Sequence, residues 1–294
     1  MELQISGHTQ LYCLLGSPVG HSGSPAMYNY NFARTGVDAV HLAFDIPQNK
    51  LEEGIAAIKA FHIKGFNVTM PNKAAVIKYL DEITPATKLI GACNTVTVAE
   101  DGRLIGYNTD GIGFSNNMRA NGIELQGKKI VILGAGGAAS SICVQAALDG
   151  ASQITVFNRQ DEFYANGVKI VNKLMDSVPA CRTAIHDLAD RTLLSQQIKD
   201  CDILINATKV GMNPMDGVSL VDPSLLRPDL VVADTVHHPL ETRLMQDAKA
   251  AGCKAVIGGI GMLLWQGVAA FKLFTNQEMP REEVQEKFFS RRER

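Results

Sequence analysis

The residue types that can do chemistry gather in a few short polar stretches. Asn67-Val68-Thr69-Met70-Pro71-Asn72-Lys73 sets a primary amine just beyond an apolar run, at an expected helix start. A cation there opposes the helix dipole, so Lys73 reads as functional. Asn108-Thr109-Asp110 ends a second such run and Asn94 begins a third. These polar side chains therefore fall at strand ends, where α/β sheets bind ligands. Gly16-Ser17-Pro18-Val19-Gly20-His21-Ser22-Gly23-Ser24-Pro25 adds two hydroxyls, Ser22 and Ser24, which an extended loop presents on one side. They could hold a polyol or a carboxylate, and they serve equally well as turn chemistry with a helix cap.

A different chemistry is written in Gly134-Ala135-Gly136-Gly137-Ala138-Ala139, which follows the apolar run Lys129–Leu133 and opens a helix of small residues. It fits G-x-G-x-x-[GA]: Gly134 for the tight turn, Gly136 for close approach to a pyrophosphate, Ala139 for close helix packing. The helix N-terminus aims its unpaired N–H groups at negative charge, so a dinucleotide is the natural occupant; a turn without ligand is the alternative. At the end of the next strand, Asn158-Arg159-Gln160-Asp161 offers both a cation for a 2′-phosphate and a carboxylate for a ribose hydroxyl. A free Asp161 carboxylate would repel the extra phosphate, which favours NAD and leaves NADP admissible. A plain surface pair of Arg159 with Asp161 is the other reading.

The elements that must position these groups follow from the pattern of apolar residues. The class is α/β, because β-rich apolar runs alternate with amphipathic stretches along the chain. The runs Leu11–Leu15, Ala39–Asp45 and Phe66–Met70 read as strands; Ala26–Arg34, Leu51–Phe61 and Lys73–Leu80 read as helices. Asn94–Ala99 and Leu104–Asn108 flank an Asp101-Gly102 turn, a hairpin signal. A helix at Gly113–Ala120 leads to strand Lys129–Leu133, helix Ala138–Leu148 and strand Gln153–Phe157, a βαβ unit. Further strands are expected at Asp202–Asn206, Leu230–Asp234 and Ala255–Ile257. The boundaries expected are 1–110 for an N-terminal α/β domain and 111–258 for a Rossmann-like doubly wound dinucleotide-binding domain. Residues 259–294 would be helices returning to the first domain, with Met262–Phe274 packed across it.

The chain has 294 residues, 46% hydrophobic and 20% charged, which suits two packed domains rather than a disordered chain. Its net charge of −2 supplies no field for phosphate backbones or anionic lipid, so neither nucleic acid nor membrane is an expected partner. No apolar run of about 18 residues and no basic leader with an apolar core is visible. The six cysteines are scattered, with no CxxC pair and no histidine cluster, so no metal site is expected and a reducing, cytoplasmic setting is. The basic end Ser290–Arg294 is expected to be solvated. Assembly is open, with a homodimer one expectation.

The ordered phrases Ser22–Pro25, Asn67–Lys73, Gly91-Ala92-Cys93-Asn94-Thr95, Gly106–Gly111, Gly134–Ala138, Asn206-Ala207-Thr208-Lys209-Val210-Gly211 and Gly261–Gly267 resemble the shikimate dehydrogenase family over nearly the whole chain. Asn158–Phe163, Thr208–Met212 and Met262–Gln266 resemble its quinate/shikimate branch. The resemblance implies NAD(P)-dependent oxidation of a ring polyol acid to its 3-dehydro ketone, in the shikimate/quinate pathway. It implies Lys73 and Asp110 as the catalytic pair, and Ser22, Ser24, Thr69, Asn94 and Gln266 as the groups holding the substrate. For the cofactor it implies Gly134, Ala135, Gly136, Gly137, Ala138, Asn158, Arg159, Asp161, Thr208, Lys209, Gly259 and Met262.

Oxidising a secondary alcohol requires the hydroxyl proton to leave, so a relay must touch that oxygen. Lowering a lysine to about 7–8 takes roughly 3–4 kcal/mol of desolvation, while a neighbouring carboxylate opposes it, so Lys73 and Asp110 are expected to titrate together. On that resemblance a pocket methyl such as that of Thr69 could crowd the extra ring hydroxyl of quinate, an effect worth only about 1–3 kcal/mol, so use of both substrates is expected. One departure stands out: the family's usual Val-Tyr-Asn-Pro is here Val236-His237-His238-Pro239. An imidazole replaces a phenol, which bears on efficiency, pH profile and substrate preference, or merely fills space. Two other readings compete, a dehydrogenase of aminated shikimate analogues or folate carbon units, and a non-catalytic dinucleotide or quinate sensor. The intact Lys73 and Asp110 argue against the sensor.

Overall fold

The computed structural model describes residues 5–289; the basic end Ser290–Arg294 lies outside the described residues. By contacts the chain divides into two units, Met1–Thr109 with Gln266–Arg294, and Asp110–Trp265. The divisions fall inside helices Thr109–Ala120 and Gly259–Thr275, so the start of the latter, including Gly259 and Met262, groups with the second unit rather than with the first.

The first unit holds a six-stranded sheet of β1 (Gln10–Gly16), β2 (Ala39–Asp45), β3 (Gly65–Val68), β4 (Glu82–Ile83), β5 (Thr95–Val98) and β6 (Leu104–Tyr107), in the order β2-β1-β3-β5-β6-β4. β1 pairs in parallel with both β2 and β3, whereas β3–β5 and β5–β6 are antiparallel, the latter being the expected hairpin. Cys13, Leu15, Phe66, Val68, Val96 and Leu104 project from these strands onto Leu51, Ile55 and Ile58 of helix Leu51–Ala60, forming one buried cluster. Each of the Leu, Ile, Val and Phe side chains among them contributes about 1.5–3 kcal/mol of burial. Helix Ser24–Thr35 begins two residues earlier than its apolar spacing suggests, because Pro25 is suited to a first turn, and it ends at Gly36 in the left-handed region. The helix expected at Lys73–Leu80 is instead a 3₁₀ segment, Ala75–Tyr79. Lys73 therefore sits in a turn before it, and the dipole argument for this lysine does not apply.

The second unit is an all-parallel sheet of β7 (Lys129–Leu133), β8 (Gln153–Asn158), β9 (Arg182–Asp187), β10 (Ile203–Asn206), β11 (Val231–Asp234) and β12 (Ala255–Ile257). Its order, β12-β11-β10-β7-β8-β9, is that of a doubly wound dinucleotide fold, with the switch point between β7 and β10. Val131, Leu133, Phe157, Leu204 and Val232 form the core on one face with Leu194, Ile198 and Leu244. β9 has no counterpart among the sequence expectations. It is an edge strand, half-buried at most positions, so its residues carry no continuous apolar run.

Candidate functional site

In the first unit, the loop after β3 is stapled through its backbone. The Asn72 amide donates to the Thr69 carbonyl at 2.9 Å, Asn72 Nδ2 donates to the Ile46 carbonyl at 2.7 Å, and the Cys93 amide donates to the Lys73 carbonyl at 2.8 Å. Lys73 is thereby held at the C-terminal end of β3, half-buried, beside the segment that carries Asn94. Thr69 lies against Gly16 at the end of β1: a Cβ at position 16 would stand 2.2 Å from Thr69 Cγ2 and 2.9 Å from the Met70 carbonyl oxygen. Only glycine admits that approach.

Asn94 is 4% exposed and sits in a hydrogen-bonded knot. Its Oδ1 accepts from the Thr109 amide at 2.8 Å, its Nδ2 donates to Thr109 Oγ1 at 3.0 Å, and Thr95 Oγ1 donates to its Oδ1 at 3.2 Å. The knot fixes the end of β6, and Asp110 follows immediately in the first turn of helix Thr109–Ala120. Ser22 and Ser24 are half-buried at the head of helix Ser24–Thr35, and the Ser24 amide donates to Ser22 Oγ at 3.2 Å. The turn role foreseen for this pair is thus present. Gln266 is half-buried on helix Gly259–Thr275, next to Gly267, where a Cβ would meet Met27 Cε at 2.7 Å.

In the second unit, the glycine turn occupies the switch point. Gly134 has φ +108°, and a Cβ there would lie 2.7 Å from the Ala207 carbonyl oxygen, so the turn is pressed against the segment after β10. At Gly136 and Gly137 a Cβ would meet nothing within 4 Å. Gly136 caps helix Gly137–Leu148 with no side-chain hydrogen bond, so no side chain of the cap residue occupies the helix N-terminus. An anionic group fits this cradle. Asn158, 8% exposed, ties the turn to β8: its Oδ1 accepts from the Ala135 amide at 3.1 Å and its Nδ2 donates to Asp161 Oδ1 at 2.8 Å.

Asp161 is not the unengaged carboxylate that its position suggests. It is the N-cap of helix Glu162–Ser177, with Oδ1 also accepting from the Phe163 amide at 3.0 Å. Oδ2 lies 3.5 Å from Arg159 Nη2, and the Arg159 side chain is 81% exposed. Both groups foreseen for the ribose therefore sit together, the carboxylate fixed and the guanidinium projecting. Thr208 and Lys209 lie in the loop after β10, Lys209 exposed. Gly259 packs on the chain after β11, where a Cβ would stand 2.4 Å from the Thr235 carbonyl oxygen, and Met262 is half-buried one turn on. His237 is exposed in the loop that follows Asp234.

The ends of β10 and β11 carry buried polar groups that the sequence reading did not single out. Asp234, 2% exposed, and Asn206, 3% exposed, end the neighbouring strands β11 and β10. A polar residue closing an otherwise apolar strand is the signal that marks both. Among the described residues no group of three or more His, Cys, Asp or Glu is arranged to hold a metal ion. Nor is any described helix long and apolar enough to cross a membrane.

Residues 14–96 match the model of the shikimate dehydrogenase substrate binding domain, and residues 259–287 match that of the shikimate 5′-dehydrogenase C-terminal domain. A relative from Listeria monocytogenes serotype 4b, named shikimate dehydrogenase (NADP(+)), is 44% identical over 97% of this chain and 98% of its own. The crystal structure of a Listeria monocytogenes shikimate 5-dehydrogenase with shikimate and NAD superposes with a TM-score of 0.94 at 43% identity, covering 97% and 98% of the two chains. A quinate dehydrogenase from Corynebacterium glutamicum with NAD gives 0.85 at 28% identity, over 96% and 99%.

Proposed function

The chain belongs to the shikimate dehydrogenase family, and from that premise we propose that it is an NAD(P)-dependent oxidoreductase interconverting shikimate with its 3-dehydro ketone. The observation that carries the proposal is the end-to-end match with a Listeria chain whose crystal structure holds shikimate and NAD. The glycine turn supports it independently, because Gly136 and Gly137 leave room at a helix N-terminus that has no side-chain cap, a place that suits a pyrophosphate.

When bound, the nicotinamide supplies the acceptor for the substrate's hydride. The chain's own residues manage the proton and the fit. Lys73 and Asp110 are assigned to the reacting hydroxyl, where one donates to the oxygen and the other accepts its proton. Their anchoring favours this work: Lys73 is fixed by its backbone to Cys93, and Asp110 follows the Asn94–Thr109 knot. Ser22, Ser24, Thr69, Asn94 and Gln266 are assigned to the carboxylate and ring hydroxyls. Quinate is the second substrate, in keeping with the likeness to a quinate dehydrogenase.

For the cofactor, Gly134 to Ala138, Asn158, Arg159, Asp161, Thr208, Lys209, Gly259 and Met262 are the groups assigned. With Oδ1 already satisfied, Asp161 offers Oδ2 to a ribose 2′-hydroxyl, which favours NAD. Arg159 projects far enough into solvent to turn toward a 2′-phosphate, so NADP is accepted too. Cytoplasmic residence and a homodimer complete the proposal.

Absorbance at the nicotinamide band, with shikimate and quinate each paired with NAD and NADP, tests the proposal. Turnover of shikimate with at least one cofactor is expected. Tight dinucleotide binding with no turnover of either acid would replace it with the sensor reading.

A further inference from the structure

The polar groups at the ends of β10 and β11 form a hydrogen-bond chain whose direction is fixed from its buried end. Asp234 and Asn206 face each other in register. Asp234 Oδ1 accepts from the Val236 amide at 2.9 Å and from Asn206 Nδ2 at 3.1 Å, and Oδ2 accepts from Thr242 Oγ1 at 2.7 Å. Every one of these donors is neutral. Burial holds the Asp234 carboxyl above the usual carboxylate range, the three hydrogen bonds opposing it in part and no charged neighbour taking part. A carboxylate without a counter-ion is costly to bury, so packing alone does not account for it.

Asp234 Oδ1 already accepts from the Val236 amide and the Val210 carbonyl can only accept, so Asn206 must turn its NH₂ toward both. The second proton of that NH₂ goes to the Val210 carbonyl at 2.9 Å. Asn206 Oδ1 is thereby turned to Thr208, accepting from the Thr208 amide at 3.2 Å and from Thr208 Oγ1 at 2.7 Å. Thr208 Oγ1 in turn accepts from the Val210 amide at 3.0 Å. The single hydroxyl proton of Thr208 is spent inward, and what the hydroxyl has left for a ligand is an acceptor lone pair.

We propose that Asp234 is a positioning residue for the dinucleotide: acting through Asn206, it holds the Thr208–Lys209 loop in its binding shape and leaves the Thr208 hydroxyl facing the ligand as an acceptor. The inference rests on the proposed dinucleotide function. It adds a residue two hydrogen bonds removed from the Thr208 hydroxyl, and a polarity for the ligand contact. A ligand N–H or O–H, such as a carboxamide or a ribose hydroxyl, is what that lone pair takes.

The test compares Asp234→Ala, Asp234→Asn and Asn206→Ala with the unaltered chain, by calorimetric titration of NAD and NADP without substrate and by KM for dinucleotide and shikimate separately. Asp234→Ala frees the Asn206 amide, so dinucleotide Kd and KM rise on the order of tenfold while shikimate KM stays within about twofold. Asp234→Asn keeps an oxygen for Asn206 and Val236, and Thr242 Oγ1 can accept from its amide, so it restores binding to within about threefold. Asn206→Ala cuts the chain beyond Asp234 and repeats the Asp234→Ala pattern, which carries the test if Asp234→Ala does not fold. Parallel rises in both KM values, or no rise in either, would overturn the inference, as would an Asp234→Asn variant as impaired as Asp234→Ala. Absence of shikimate turnover by the unaltered chain would count against the proposed reaction alone, since the calorimetric arm still reads the loop. Absence of dinucleotide binding would overturn both.

Discussion

Lowering the pH should weaken the first unit through one side chain, His41. This residue is wholly buried, its ring stacked on Tyr28 at 4.6 Å between centroids with 14° between planes. Asn67 Nδ2 is spent on Thr95 Oγ1 at 3.2 Å and on the Asn94 carbonyl at 3.4 Å, so Asn67 Oδ1 faces the imidazole. His41 Nε2, 3.4 Å away, must carry the ring proton, and Nδ1 is buried without a partner. A second proton on Nδ1 would have no acceptor. Burial accordingly lowers the pKa from the ordinary 6.5 to about 4, the hydrogen bond to Asn67 opposing the shift in part. Above pH 6.5 both folded and unfolded chains hold the ring neutral and nothing is lost. Below it the unfolded chain takes up a proton that the folded chain refuses, so stability falls until about pH 4. By pH 4.5 the loss amounts to about 2–3 kcal/mol. Carboxylates in general begin to titrate in the same window, so the assay is a difference: urea unfolding of the unaltered chain and of His41→Gln at pH 7 and pH 4.5. Glutamine keeps a donor for Asn67 and has no charge to gain. The variant should be the less stable at pH 7, by about 1–3 kcal/mol for the lost packing and ring contact, and should lose that disadvantage by pH 4.5. Curves that stay parallel between the two pH values would refute the reasoning.

Replacing Arg159 with Ala should lower kcat/KM with NADP by about tenfold or more while leaving NAD within about threefold, since the role proposed for the exposed guanidinium is toward the 2′-phosphate. Asp161→Ala should do the reverse to the preference and also cost about 1 kcal/mol of stability as an N-cap is lost, read by thermal unfolding beside the two kcat/KM values. Gly134→Ala forces a Cβ at φ +108° to within 2.7 Å of the Ala207 carbonyl oxygen. Stability should fall by more than about 1 kcal/mol and dinucleotide affinity with it, as calorimetry and thermal unfolding would show.

Much of the frame was legible because burial wrote it into the sequence. β7 is a run of apolar residues ended by a glycine turn, and its partners β8, β10 and β11 read the same way for the same reason: a central parallel strand is covered on both faces. β9 lacked that signature because it is an edge strand, and β4 because two residues cannot show a period. Lys73 was picked out by a helix-dipole argument that the 3₁₀ segment Ala75–Tyr79 removes, while its place after β3 stands. Asp161 was read as a free carboxylate although an acidic residue ahead of a helix also signals an N-cap, the role it has. Asp234, Asn206 and His41 escaped because their roles depend on partners far along the chain: Asp234 is joined to Asn206 and His41 to Asn67. No spacing rule reports such pairs.

The central claim is that this chain oxidises shikimate with a dinucleotide, using the Lys73 amine at the reacting oxygen. It is tested most directly by shikimate-dependent change in nicotinamide absorbance for the unaltered chain and for Lys73→Ala. The account predicts turnover by the first, and in the variant a kcat lower by about 10²–10⁴ with shikimate KM changed only severalfold. A Lys73→Ala variant that keeps its kcat, or loses activity wholly through KM, would contradict it.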